Sequence, residues 1–291
     1  MKTLLGSTLE ELKGIVSQYG LPAFTAKQIA DWLYKKHITS IDQMTNISVK
    51  GREALKANYC VGITEPIWSA ASVDGTKKYL FQTTHGQIET VFIPEDDRGT
   101  LCVSCQVGCK MNCQFCMTGK QGWSGSLTAA EIMNQICGIP EVDRLTNIVF
   151  MGMGEPMQNL DAIRKSIQIL TNKDGRALSG RRITLSTSGI IKGIYDLADN
   201  EPQIRLAVSL TTADTELRTS LMPVTIGNPL DELKKAISNH ECFSLYSVKK
   251  WVLKKYKKCV DFLNSGGKAC GKKWKKQQSA QSTSLLFFAK S

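Results

Sequence analysis

Three cysteines, Cys109, Cys113 and Cys116, stand at spacing C-x3-C-x2-C within CKMNCQFC. Thiolates this close in sequence can each take a separate iron of an iron–sulfur cube. A complete four-iron, four-sulfur (4Fe-4S) cage takes four cysteines, so three leave one iron open to a small molecule. Open-iron sites of this kind are where S-adenosylmethionine (SAM) is cleaved reductively to a carbon radical. The competing reading is a zinc knuckle, which prefers paired C-x2-4-C units closed by a fourth ligand. No His or second cysteine pair follows the loop at a suitable distance.

The elements around this loop predict how it is positioned. From residue 100 the pattern becomes strand, loop, helix. Thr100 to Gln106 is apolar and β-prone, and the cysteine loop follows it. A helix is expected from Thr128 to Cys137, with Thr128 and Glu131 forming a Thr-x-x-Glu cap. Asn147 to Met151 reads as a buried strand, then MGMGEP and a helix from Leu160 to Leu170. Arg182 to Ser186 and Arg205 to Leu210 read as two more strands, each with helix-like sequence after it. Strands alternating with helices predict an α/β fold of parallel βα units closing toward a barrel. In such barrels chemistry sits at the C-terminal strand ends. The cysteine loop, Gly154-Glu155, Ser186-Thr187-Ser188 and Ser209-Leu210-Thr211 all fall there.

Ahead of this core, residues 1–62 read as a helical accessory domain. Thr8-Leu9-Glu10-Glu11 and Thr25-Ala26-Lys27-Gln28 are both capping-box patterns. The module suits packing or substrate docking. Residues 63–97 read as a small antiparallel meander, with Asp74-Gly75 and His85-Gly86 as turns. The core is expected over residues 98–240. Residues 241–291 form an atypical Lys-rich tail without recognisable barrel strands, read as a poorly ordered segment or a basic RNA-binding arm.

The net charge of +11 suggests a polyanion partner until it is located. Residues 249–276 hold eleven Lys against one Asp, and residues 1–248 carry equal numbers of basic and acidic side chains. The folded body therefore gives no charge argument for nucleic acid. The start of the chain lacks the apolar run of a signal peptide, and no window reaches the length of a membrane span. The expectation is a cytoplasmic protein with no membrane partner, whose ten cysteines serve metal or catalysis rather than a disulfide framework.

The segment RGTLCVSCQVGCKMNCQFCMTGKQGW, with MGMGEP and RRITLSTSG behind it, closely resembles the RlmN family of radical SAM RNA methyltransferases. The resemblance runs from about Leu21 to Ala236. It implies a partial (β/α) barrel, incomplete here at the C-terminus. It further implies methylation of carbon 2 of adenine in 23S rRNA and tRNA, using a 4Fe-4S cluster and SAM. An electron donor such as flavodoxin or ferredoxin would reduce the cluster, and a monomer is expected.

The same resemblance assigns roles by residue. Cys109, Cys113 and Cys116 become the cluster ligands. Gly154 and Glu155 meet the SAM amino group, while Ser186 and Ser209, Leu210 and Thr211 make further SAM contacts. Carbon 2 of adenine is not nucleophilic, so the family methylates a C-terminal cysteine first. A 5′-deoxyadenosyl radical takes a hydrogen from that methyl group, and the resulting carbon radical adds to the base. Glu89 matches the general base that resolves the adduct, and Cys102 matches the thiol that releases the cysteine as a disulfide. Cys270, in Ala269-Cys270-Gly271, matches the methyl carrier, although Lys272 departs from the family's Ala-Cys-Gly-Gln pattern. Three alternatives stand beside this: a truncated chain that binds cluster and SAM without methyl transfer, a Cfr-like enzyme acting at carbon 8, and an iron–sulfur electron carrier.

Overall fold

The computed structural model describes residues 1–200 and 204–238. Strand β1 (Lys2–Thr3) and helices α1 (Leu9–Gln18), α2 (Thr25–Tyr34) and α3 (Val49–Lys56) come first, and β2 (Tyr59–Cys60) then pairs in parallel with β1. The chain continues through β3 (Trp68–Ala71), β4 (Lys77–Thr83), β5 (Gly86–Pro94), β6 (Gly99–Cys102) and β7 (Gln106–Gly108). Next are α4 (Met117–Lys120), β8 (Trp123–Ser126), α5 (Ala129–Cys137), β9 (Asn147–Phe150), α6 (Leu160–Thr171) and β10 (Ile183–Thr187). Last come α7 (Ile191–Asn200), β11 (Arg205–Val208), α8 (Thr215–Leu221) and α9 (Leu230–Ser238). Among the described residues no helix is long and apolar enough to cross a membrane.

The chain forms two compact units. The first is Met1–Val107 with Ser124–Ser186; the second is Gly108–Trp123 with the described residues from Thr187 onward. Within the first unit the strands lie in the order β10-β9-β6-β5-β4-β3. β10, β9 and β6 are parallel, and β5, β4 and β3 continue the same sheet as antiparallel neighbours. The antiparallel meander is thus hydrogen-bonded directly to the parallel strands.

The register sorts the side chains of this sheet. Ala70, Lys78, Val91, Cys102, Val149 and Thr184 are successive pairing partners and so share one face. Phe92, Leu101, Ile148 and Ile183 form the next row, on the other face, and all four are buried. Thr90 faces the same way, and its hydroxyl donates to Gln135 Oε1 of α5 at 2.7 Å, which puts α5 over that second face. The first face carries the polar candidates.

Helix α1 starts where its cap predicts: Thr8 N–H donates to the Glu11 carboxylate and Glu11 N–H to the Thr8 hydroxyl. Helix α5 repeats the pattern with Thr128 and Glu131. The box expected at Thr25 does not form. The turn begins one step earlier, Thr25 N–H donating to the Pro22 carbonyl, and Thr25 is buried in the first turn rather than capping it.

Candidate active site

In the first unit, Glu89, Cys102 and Ser186 lie on one face of the sheet at a common edge. Cys102 pairs with Val91, so Glu89 is its diagonal neighbour, at a Cα separation that strand geometry sets near about 7–8 Å. Ser186 lies two residues past Thr184, on the same side. Glu89 Oε1 accepts from Lys78 Nζ at 3.0 Å, and both side chains are partly buried. Lys78 also reaches the exposed ring of Trp68, 5.8 Å from its centroid. Cys102 is buried, and burial pushes its thiol up to about 12 against one opposing backbone hydrogen bond at Met151. It therefore rests as a neutral thiol at neutral pH.

The strand end is held by a buried polar network. Gln135 Oε1 accepts from Ser104 N–H at 2.8 Å, and its Nε2 donates to the Ser104 carbonyl at 2.9 Å. The Ser104 hydroxyl donates to the Glu89 carbonyl at 2.6 Å and accepts from Met153 N–H at 2.9 Å. These bonds end β6 at Cys102 and explain why the expected strand to Gln106 is broken into β6 and β7. Gly154 has φ +103°, and a Cβ there would meet the Gln106 Cβ at 2.6 Å, so only glycine fits. Glu155 is buried, its N–H donating to Gln106 Oε1 at 2.9 Å while its carboxylate caps Met157 N–H. Asn159 Nδ2 ties this loop to the Cys105 and Leu127 carbonyls at 2.8 Å.

In the second unit, the cysteine loop is closed at its base by Cys109 N–H donating to the Gly122 carbonyl at 2.7 Å. Gly108 and Asn112 take left-handed backbone, turning the chain so that the cysteines follow on a tight loop. Cys109 and Cys113 are buried, Cys116 is half-buried and precedes α4, and Lys110 lies 3.7 Å over the Trp123 ring. Ser209 N–H donates to the Thr187 carbonyl at 2.9 Å, and Thr211 takes φ 62° with its hydroxyl against the Met222 sulfur at 3.0 Å. Arg218 of α8 donates to the Leu210 and Ser209 carbonyls and so fixes this segment. Burial holds Arg218 below its usual range, and Cys113 opposes that.

The donor chemistry fits the cluster implied by the spacing: three thiols on one short loop beside a buried cation. Among the described residues no three His, Cys, Asp or Glu side chains converge closely enough for one metal ion. A cube asks something else of its ligands, one thiolate on each of three irons. All seven described cysteines are free thiols. Cys270 lies outside the described residues. The roles of Gln135, Ser104, Gln106, Asn159 and Arg218 were not legible beforehand, because each acts through partners distant in sequence or through backbone groups.

An α/β fold with parallel strands and a three-thiol loop after the first of them defines a radical SAM enzyme. Residues 103–245 match the Radical SAM superfamily, and residues 2–61 match the ribosomal RNA large subunit methyltransferase N-terminal domain. The chain belongs to the RlmN family and is a radical SAM RNA methyltransferase whose cofactors are a 4Fe-4S cluster and SAM. It is 51% identical over 239 residues to a probable dual-specificity RNA methyltransferase RlmN of Bacteroides fragilis, covering 82% of this chain and 69% of that protein. A dual-specificity RNA methyltransferase RlmN of Geotalea uraniireducens is 41% identical over 250 residues, covering 86% and 71%. A crystal structure of a radical SAM methyltransferase from Sphaerobacter thermophilus aligns with TM-score 0.78 at 39% identity, covering 82% of this chain and 72% of that one.

Proposed function

We propose that this enzyme methylates carbon 2 of adenine in 23S rRNA and tRNA through a methylated Cys270. The observation that carries the proposal is the common face on which Glu89, Cys102 and Ser186 lie. The names of the relatives, dual-specificity RNA methyltransferases, support the substrate class. When bound and reduced by a one-electron donor of the flavodoxin or ferredoxin kind, the cluster and SAM would supply the radical chemistry that activates the methyl group of the methylated cysteine.

The protein residues then act in turn. Glu155 and the Gly154 backbone receive the SAM ammonium, and Ser186 and Ser209–Thr211 make the remaining polar contacts. Cys109, Cys113 and Cys116 hold the cluster. Once the methyl carbon is joined to the base, the adduct radical gives up its unpaired electron to the oxidised form of that one-electron donor, and Glu89 accepts the proton from carbon 2, its Oε1 held by Lys78. Cys102 gives up its thiol proton, and its sulfur bonds to the Cys270 sulfur. The bond from Cys270 to the transferred carbon breaks with its electron pair going to carbon, which takes a proton and becomes methyl. An external thiol reduces the Cys102–Cys270 disulfide for the next cycle.

Anaerobic incubation with methyl-labelled SAM, reductant and either RNA, followed by nuclease digestion and mass spectrometry, tests this. 2-Methyladenosine is expected, together with a Cys102→Ala variant trapped covalently on RNA. 8-Methyladenosine would show a Cfr-like enzyme. SAM cleavage with no label on RNA would show a chain that binds both cofactors without transfer.

A further inference from the structure

Arg218 is 0% exposed. Its guanidinium donates to four oxygens: Leu210 O at 3.1 Å, Thr225 Oγ1 at 2.5 Å, Ser188 O at 2.6 Å and Ser209 O at 3.3 Å. All four acceptors are uncharged, and among the described residues no carboxylate pairs with it. Arginine is almost never fully buried unless its charge is compensated. Hydrogen bonds to carbonyls satisfy its N–H groups and leave its net charge in place. The same helix holds the cysteine loop, since Gln114 N–H donates to the Leu221 carbonyl at 2.9 Å, one turn beyond Arg218. Gln114 directly follows Cys113, so this bond ties the loop's second cysteine to the helix that carries Arg218.

We propose that Arg218 is the fixed counter-cation of the iron–sulfur cluster, offsetting the charge of its thiolates and raising its midpoint potential. This rests on Cys109, Cys113 and Cys116 being the cluster ligands. Reduction takes one electron from an external one-electron donor and moves no proton, so the cluster gains one negative charge. A buried positive charge close by stabilises that state more than the oxidised one. Arg218 also grips Ser209 and Leu210, so the cation and a proposed SAM-contacting segment share one anchor.

The test uses the full chain loaded with cluster, in wild type, R218K, R218Q and R218M. Iron per chain is measured, and the midpoint is found by potentiometric titration followed by electron paramagnetic resonance. Circular dichroism of each apo protein reports the fold. R218K should stay within about threefold of the wild-type reduction equilibrium. R218Q and R218M should be about tenfold harder to reduce, a shift of about 59 mV to more negative potential for one electron. Loss of iron in R218Q and R218M with R218K intact supports the proposal equally. Where R218M does not fold, R218Q keeps N–H donors for the carbonyls and decides the matter. A wild-type potential in the uncharged variants, or R218K falling with them, would overturn it in favour of a shape-specific clamp. Failure of apo R218Q to fold would overturn it too, because the charge would then be needed where no cluster exists. Retention of iron by C113A defeats the ligand assignment instead, whatever the Arg218 variants do.

Discussion

Replacing Gln135 with leucine removes the centre of the network that fixes the strand end. Leucine has a similar volume, so the loss is polar rather than a cavity. Gln135 is 0% exposed and serves three buried groups: the Thr90 hydroxyl, the Ser104 N–H and the Ser104 carbonyl. A buried polar group left unsatisfied costs about 1–3 kcal/mol. The two backbone groups of Ser104 alone put the loss at about 2–6 kcal/mol, since Ser104 is itself 0% exposed and water cannot replace the amide. At about 2–4 °C per kcal/mol for a protein of this size, the melting midpoint of Gln135→Leu should fall by at least about 4 °C. The Ser104 hydroxyl holds both the Glu89 carbonyl and Met153 N–H, so methyl transfer should fall at temperatures where the variant is still folded. Thermal denaturation by circular dichroism, paired with an RNA methylation assay at 20 °C below the midpoint, reads both effects. A midpoint within 1 °C of wild type would refute the energetic role assigned to this network.

Gly154→Ala places a Cβ 2.6 Å from the Gln106 Cβ on backbone at φ +103°, and SAM affinity should drop by about tenfold or more in equilibrium dialysis; unchanged affinity would remove Gly154 from the SAM contacts. Lys78→Met frees the Glu89 carboxylate to reorient, so the methyl-transfer rate should fall about tenfold with the SAM KM unchanged, and Lys78→Arg should restore it; equal losses in both variants would contradict a positioning role. His37 is nearly buried, faces Arg176 Nη1 at 3.1 Å and Asp143 Oδ1 at 3.8 Å, and burial and then Arg176 hold it below its usual range. The unfolded chain therefore binds a proton more readily than the native one, and stability present above about pH 6.5 is lost as pH falls below it. His37→Gln should flatten the pH dependence of the melting midpoint between pH 7 and 5; an unchanged slope would clear His37 of that role.

Local patterns carried the parts of this fold that are local. The Thr128–Glu131 box, the alternation of β5 and the buried run at Asn147 each depend on neighbours within a few residues, and the structure has them nearly where the sequence places them. Thr25 misled because its cap pattern follows Pro22, which starts the turn first. Thr100 to Gln106 reads as one β-prone run, yet Ser104 leaves the ladder to bond Gln135 and Met153, 31 and 49 residues away. Pairing of Val91 with Cys102, which aligns Glu89 with the thiol, follows from register and not from composition. Arg218 looks in sequence like any helix-surface charge; only the fold buries it. The C-x3-C-x2-C spacing is visible in the sequence because it is local, and the structure places Cys109, Cys113 and Cys116 on one tight loop.

The most direct measurement is iron and cofactor chemistry on anaerobically reconstituted protein. Wild type should carry a brown 4Fe-4S cluster and, with dithionite, convert SAM to 5′-deoxyadenosine. Ala substitution at Cys109, Cys113 or Cys116 should abolish both. Zinc in place of iron, or wild-type iron content in those variants, would contradict the account.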